Sequence, residues 1–357
     1  MDVFNYADHF FHRLVKSNDI ARPVQIELHP GIHCDLYRCP HCYGHGQAPL
    51  RGQLLSPEEI GEALDDVASF APTIIVSGIT TEPLTHPRAG DVIRQVRRRN
   101  LPLGLYTKGR RLEGDIAEAL LDGTGECFLT VSLDDVGRDD YNRRHFVTLS
   151  SREGATGLAG ADYYDKVLSN LRAFKAMRDA RRARVEIRIG LLLFADSSDR
   201  AHVVESVEEV ASLADRVRIA LPQYRNDGAA PGELPPNGRA ILDNLAEAFS
   251  NNPHVRVLRE CFDPQRNQEF TRCRVQQFQA VLDKSGNVFP CPQVAVIPFQ
   301  HLCYGNIRER RFSELLVAEQ RRRMFAMDID KEMKCRICDR KDEAVNVALH
   351  NLASGYE

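Results

Sequence analysis

The sequence predicts an α/β fold: a partial (β/α)6 barrel of the TIM type, followed by a smaller cysteine-rich module. Three observations predict it. Six apolar strand patterns alternate with amphipathic helix patterns up to about residue 252. Six of the ten cysteines then crowd into the chain after residue 254. The run GIHCDLYRCPHCYGHG at 31–46 puts Cys34, Cys39 and Cys42 directly behind the first strand. Continuous Val/Ile/Leu strands belong to a parallel sheet, and right-handed crossovers curl such a series into a barrel or part of one.

Residues 24–32 (VQIELHPGI) read as the first strand. Ser56 and Glu59 make a capping box that opens a helix over 56–70, and 72–79 (PTIIVSGI) is the second strand. A helix over 88–100 leads to the strand 101–109, and the helical EGDIAEALLD leads to the strand 127–135. After a polar loop come a long helix at 161–181 and the strand 184–194. A helix at 201–214, the strand 216–224 and a helix at about 236–250 complete six units. His33, Thr80, Lys108, Asp134 and Tyr224 fall just behind the strands, on the rim where such barrels carry their chemistry. Beyond 254 the rhythm breaks. Lys284-Ser285-Gly286-Asn287 reads as a hairpin turn, and a helix is expected at about 312–326. The expected division is an N-terminal helical segment (1–23), the barrel (24–252), the cysteine module (253–345) and a C-terminal tail (346–357).

Composition narrows the function. The chain has 357 residues, 43% hydrophobic and 27% charged, with a net charge of −3, so its overall field suits neither nucleic acid nor an anionic membrane. Runs such as RQVRRR and EQRRRM have helical spacing and read as solvated helix faces. No apolar stretch approaches the ~20 residues that span a bilayer. The N-terminus lacks the apolar core of a signal peptide, so a cytoplasmic location is expected, and there ten cysteines point to metal or redox chemistry. A short irregular module with little apolar content also gains stability from metal.

Three thiols at close spacing select zinc or an iron–sulfur cluster, and a trio leaves one metal corner open. The alternative is a structural zinc site that borrows Cys335 and Cys338. Behind the second strand, VSGITTEPLTHP offers Gly78 for close backbone approach and Glu82 held beside Pro83, a carboxylate suited to an ammonium group.

Together these segments resemble the radical SAM superfamily. Its usual trio is C-x3-C-x2-C with an aromatic residue before the last Cys, followed by G-G-E-P. Here the trio is C-x4-C-x2-C with His41 at the aromatic position, and the second motif is GITTEP. SLDD with DDYNRR (132–144) resembles the Ser-Leu-Asp-Gly segment and following Arg of one large subgroup, and YTKG (106–109) resembles its T-N-G. Farther on, Cys273, Gly286 and Cys291 in C-x12-G-x4-C, a G-N-I before a helix, and CRIC resemble the SPASM/twitch extension.

The resemblance implies an enzyme with two [4Fe–4S] clusters and S-adenosylmethionine. Cys34, Cys39 and Cys42 would hold the SAM cluster, and Cys273, Cys291, Cys335 and Cys338 the auxiliary one. Glu82 would take the methionine ammonium, with Gly78, Thr80 and Thr81 in the same turn. Ser132 with Arg143 or Arg144 would take the carboxylate, Arg188 the ribose or carboxylate, and His41 would lie on the adenine side. SAM would be cleaved reductively to a 5′-deoxyadenosyl radical that takes hydrogen from substrate, with a flavodoxin or ferredoxin-type electron donor as partner. Lys108, Asp134, Asp135, Tyr224 and Arg225 suit a polar small molecule such as a sugar or aminocyclitol. A fully ligated second cluster suits net dehydrogenation. Epimerisation would instead need a thiol hydrogen donor, for which Cys261 and Cys303 are candidates, while Cys127 reads as core. Modification of a ribosomal peptide is a further alternative, although no room appears before residue 24 for a leader-docking domain. A regulatory iron–sulfur protein on a decayed barrel is the non-enzyme alternative.

Overall fold

The computed structural model describes residues 22–34, 39, 41–42, 44, 50–70, 72–135, 137–146, 161–194, 200–222, 237–259, 270–335 and 338–354. Residues 1–21 of the N-terminal helical segment expected over 1–23 lie outside the described residues, as do Tyr224, Arg225 and Cys261.

Six strands form where the Val/Ile/Leu-rich segments place them: β1 (Gln25–His29), β2 (Thr73–Val76), β3 (Leu103–Thr107), β4 (Cys127–Asp134), β5 (Val185–Leu192) and β6 (Arg216–Ala220). Four more follow: β7 (Val255–Val257), β8 (Gln279–Asp283), β9 (Asn287–Phe289) and β10 (Gly305–Asn306). All ten make one sheet in the order β10-β9-β8-β1-β2-β3-β4-β5-β6-β7. From β8 to β7 every pairing is parallel, and β1 to β7 follow chain order. Right-handed crossovers between strands in sequential order put all the connecting helices on one face. Those helices are α1 (Pro57–Val67), α2 (Ala89–Arg97), α3 (Gly114–Leu121), α4 (Arg138–Phe146), α5 (Ala161–Arg181), α6 (Arg200–Ala211) and α7 (Gly238–Ala248).

Strand alternation then sorts the side chains. Ile26, Leu28, Leu103, Leu105, Leu129, Val131, Ile187, Ile189, Val217 and Ile219 are fully buried on the helix side. The opposite face is polar, and register lines it up in rows. One row runs Tyr106, Thr130, Arg188, Arg216, and the next runs Ser132, Gly190, Arg218, Arg256.

The structure differs from the sequence reading in four places. The polar loop after β4 contains α4, in which Tyr141 and His145, at helical spacing, are the buried side chains among the described residues. The single helix expected at 312–326 is two, α8 (Phe312–Leu315) and α9 (Glu319–Ala326). The buried Arg321 side chain donates to the Leu316 carbonyl at the break, and to the carbonyls of Gln276 at 3.2 Å and Gln277 at 3.3 Å. Residues 346–354 are not a tail but the second half of α10 (Arg340–Ser354), with Val345, Asn346 and Leu349 buried. The cysteine-rich part is not a separate sheet either, because β8 lies in parallel register beside β1 and β7 extends the other edge beyond β6.

Candidate active site

The cysteine loop is clamped onto the turn behind β2. The His33 carbonyl accepts from the Glu82 amide at 2.8 Å, and Thr85 Oγ1 accepts from the Ile32 amide at 3.0 Å while donating to the Glu82 carbonyl. A Cβ on Gly31 would fall 2.2 Å from the Glu82 carbonyl oxygen, and one on Gly78 would fall 2.2 Å from that of Thr81. Only glycine lets these backbones approach so closely. Thr80 and Thr81 form the half-buried bend between Gly78 and Glu82. Within the loop the Cys42 amide donates to the Cys39 carbonyl at 3.0 Å, and the Cys42 thiol to the Ile79 carbonyl at 3.7 Å. Burial pushes the Cys39 thiol well above its ordinary pKa. Lys108 opposes the shift, and the neighbouring thiols of Cys42 and Cys34 add to it. Such thiols need a metal's charge to give up their protons.

Glu82 is buried. Its carboxylate accepts from Thr107 Oγ1 and, at 3.0 Å, from the Lys108 amide. These two bonds orient the carboxylate.

A second knot ties the loop to the next strands. Asp134 ends β4 at φ 66°, left-handed backbone that a non-glycine residue adopts at a cost. Its Oδ2 pairs with Lys108 Nζ, accepts from His41 Nε2 at 3.1 Å and lies 3.7 Å from His145 Nε2 on α4. Burial alone would raise the Asp134 carboxyl, but Lys108, His145 and His41 outweigh it and hold it well below the carboxylate range. Burial likewise works against the Lys108 ammonium, yet Asp134 and Cys39 hold it above its ordinary value. His41 thus points into this buried pair and packs 5.1 Å from the Phe194 ring. Lys108 and Asp134, expected as substrate contacts, form a buried ion pair with each other.

The second set of thiols lies in the C-terminal region. Cys273, Cys291, Cys335 and Cys338 line one cavity with Val294, Ile329, Met333 and Asn346. Burial pushes Cys273 up to about 11. It also raises Cys291 and Cys338 well above their ordinary values, reinforced by the other thiols of the group. Asn346 Nδ2 points at two of the sulfurs, 3.9 Å from Cys273 and 3.8 Å from Cys338, while its Oδ1 accepts from the amides of Arg274 and Val275.

Other expected residues fall elsewhere. Ser132 is half-buried on the helix-free face beside Gly190. Arg143 and Arg144 are on α4, but their side chains lie outside the described residues. Arg188 is stacked 4.0 Å over the Phe128 ring and paired with Glu186. The Cys303 thiol donates to the Gly305 carbonyl at 3.3 Å beside the edge strand β10. Cys127 begins β4 and is buried. The sequence reading passed over Thr107, His145 and Asn346. Thr107 stood in the quoted YTKG, while the other two lay in segments read as loop and tail.

The donor chemistry fits iron–sulfur groups at both places. Three clustered thiols leave one corner unfilled, and four thiols around one cavity match a fully ligated cluster with an amide aimed at its sulfurs. Residues 30–178 match the Radical SAM superfamily model, and residues 273–339 match SPASM, an iron–sulfur cluster-binding domain. A curated relative, the AdoMet-dependent heme synthase of Methanosarcina barkeri (strain Fusaro / DSM 804), is 24% identical over 354 residues, covering 92% of this chain and 91% of that protein. Streptococcus suis SuiB bound to S-adenosylmethionine has the same fold, with TM-score 0.60 and 12% identity over 88% of this chain and 70% of that one. The structure of anSMEcpe with bound AdoMet gives TM-score 0.58 and 15% identity over 94% and 97%. No helix among the described residues is long and apolar enough to cross a membrane. The chain belongs to the radical SAM superfamily with a SPASM domain, and its cofactors are S-adenosylmethionine and two iron–sulfur clusters.

Proposed function

We propose that this enzyme dehydrogenates a polar small molecule held against the helix-free face of the sheet. The observation that carries the reading is the pair of unequal thiol sets, three at the rim and four around an enclosed cavity. Cys34, Cys39 and Cys42 hold the cluster that S-adenosylmethionine completes, and Cys273, Cys291, Cys335 and Cys338 hold the other. When bound, the first cluster and S-adenosylmethionine supply a 5′-deoxyadenosyl radical by reductive cleavage. Glu82 receives the methionine ammonium, its carboxylate oriented by Thr107 and the Lys108 amide. Ser132 and Arg143 or Arg144 are the candidates for its carboxylate. The Lys108–Asp134–His41 knot holds the cysteine loop against β3 and β4. Four protein ligands leave the second centre no corner for substrate, which suits it to carrying electrons. The reductant is of the flavodoxin or ferredoxin type. In a second reading the product is a heme, favoured by the end-to-end match to a relative of that name.

The test is anaerobic iron and sulfide content of the reconstituted enzyme beside the Cys34→Ala/Cys39→Ala/Cys42→Ala variant, with 5′-deoxyadenosine followed in both. About eight irons should fall to about four and 5′-deoxyadenosine should vanish. About four irons in both proteins would remove the trio from the reading.

A further inference from the structure

The helix-free face carries an arginine wall on β5, β6 and β7 that the cofactors do not account for. Arg188 and Arg216 share one carboxylate: Arg188 pairs with Glu186, and Arg216 Nε lies 2.6 Å from Glu186 Oε1. One row nearer the rim, Arg218 stands between Gly190 and Arg256. It is exposed, and its guanidinium makes no hydrogen bond or ion pair with the described residues. On β5 and β6, Arg188 and Arg216 thus share the Glu186 carboxylate, and the uncompensated Arg218 stands one row nearer the rim.

Gly190 sharpens the picture. A glycine inside a strand weakens it and marks a place where something approaches closely. Here no protein atom requires it: a Cβ would meet only Arg218 Nη2 at 3.7 Å and the Val131 carbonyl oxygen at 4.0 Å, ordinary contacts. The missing side chain leaves a gap between the Ser132 hydroxyl and the Arg218 guanidinium. Their strands stand two sheet spacings apart, about 10 Å.

We propose that Arg218, reached over Gly190, recognises a carboxylate carried by the substrate, with Ser132 at the opposite wall of the gap. This rests on the reading that substrate occupies the helix-free face. One uncompensated guanidinium neutralises one carboxylate through its planar fork. A phosphate dianion would need a second free cation, whereas Arg188 and Arg216 are held by Glu186 and Arg256 is engaged as well.

The test is arginine-selective labelling of the reconstituted holoenzyme with phenylglyoxal, mapped by peptide mass spectrometry, with 5′-deoxyadenosine formation assayed on the same sample. The probes are S-adenosylmethionine, succinate, 1,4-butanediol and inorganic phosphate. Succinate should slow labelling of Arg218 about tenfold, the scale of a charge-assisted pair, while butanediol does nothing. Gly190→Val should melt no lower than wild type, since a β-branched side chain suits a strand, yet lose the protection. No protection by succinate, or its persistence in Gly190→Val, would overturn the proposal. Full protection by S-adenosylmethionine alone would assign Arg218 to the cofactor, and stronger protection by phosphate would assign it to a different anion; either outcome defeats it. Loss of 5′-deoxyadenosine with protection intact would instead sink the radical reading and leave the anion site standing.

Discussion

Asn346 does two jobs with one side chain. Its Oδ1 takes the amides of Arg274 and Val275, which fixes the chain beside Cys273, and its Nδ2 aims at the sulfurs of Cys273 and Cys338. A donor directed at cluster sulfur stabilises the more negative, reduced state and so raises the reduction potential. Asn346→Asp keeps the acceptor and removes the donor, which separates tuning from folding. A hydrogen bond of about 1 kcal/mol corresponds to about 40 mV for one electron, and the added negative charge acts in the same direction. Potentiometric titration followed by EPR should therefore place the auxiliary centre at least that much lower, with iron content unchanged. An unmoved potential would mean that Nδ2 does not reach the cluster.

At the scale of elements, Arg321 shows why local pattern misjudged 312–326. Its buried guanidinium gathers the carbonyls of Leu316, Gln276 and Gln277, so it joins the end of α8 to the segment that precedes β8. Burial lowers its pKa, with the Tyr304 hydroxyl opposing the shift. Arg321→Met keeps much of the volume but strands those carbonyls, at a cost of about 3 kcal/mol. Thermal melting should fall by several degrees, and iron loss on heating should begin at the auxiliary centre. An unchanged melt would show that water replaces the guanidinium freely. The same contrast explains what was readable. Strands β1 to β6 announce themselves by Val/Ile/Leu-rich segments, continuous in β2 and alternating with polar residues in β1, β5 and β6, and α1 because Ser56 and Glu59 cap it reciprocally. Helix α4 hides because its run RDDYNRRH is almost wholly polar, and Asp134, the buried neighbour of His145, looks like an ordinary loop carboxylate. That Cys273, Cys291, Cys335 and Cys338 meet follows from no periodicity; family spacing suggested it, and the folded chain brings them around one cavity.

Across the whole molecule, the partner chosen by β1 is the fact no local pattern contains. β8 lies beside β1 through five paired residues from Gln25↔Gln279 to His29↔Asp283, so the sheet that carries the cysteine loop continues into the SPASM region. Other ties cross the same seam. The Leu55 amide donates to the Lys284 carbonyl at 2.7 Å, the Ser313 amide to Asp66 Oδ2 at 2.7 Å, and Arg308 bonds Glu59. The two thiol sets are therefore held in one frame rather than on two hinged bodies, which fixes the distance an electron must cross. A chain ending at residue 252 would leave β1 without β8 and β6 without β7, baring two edges rich in unpaired amides and carbonyls. Exposed edges of that kind pair with other chains. Such a fragment should elute as oligomer or aggregate in size-exclusion chromatography with light scattering and show no cooperative melt, even after iron reconstitution. A monomeric, cooperatively melting fragment that still cleaves S-adenosylmethionine would show the opposite. The barrel would then be self-sufficient, and the shared sheet would serve only to position the auxiliary centre.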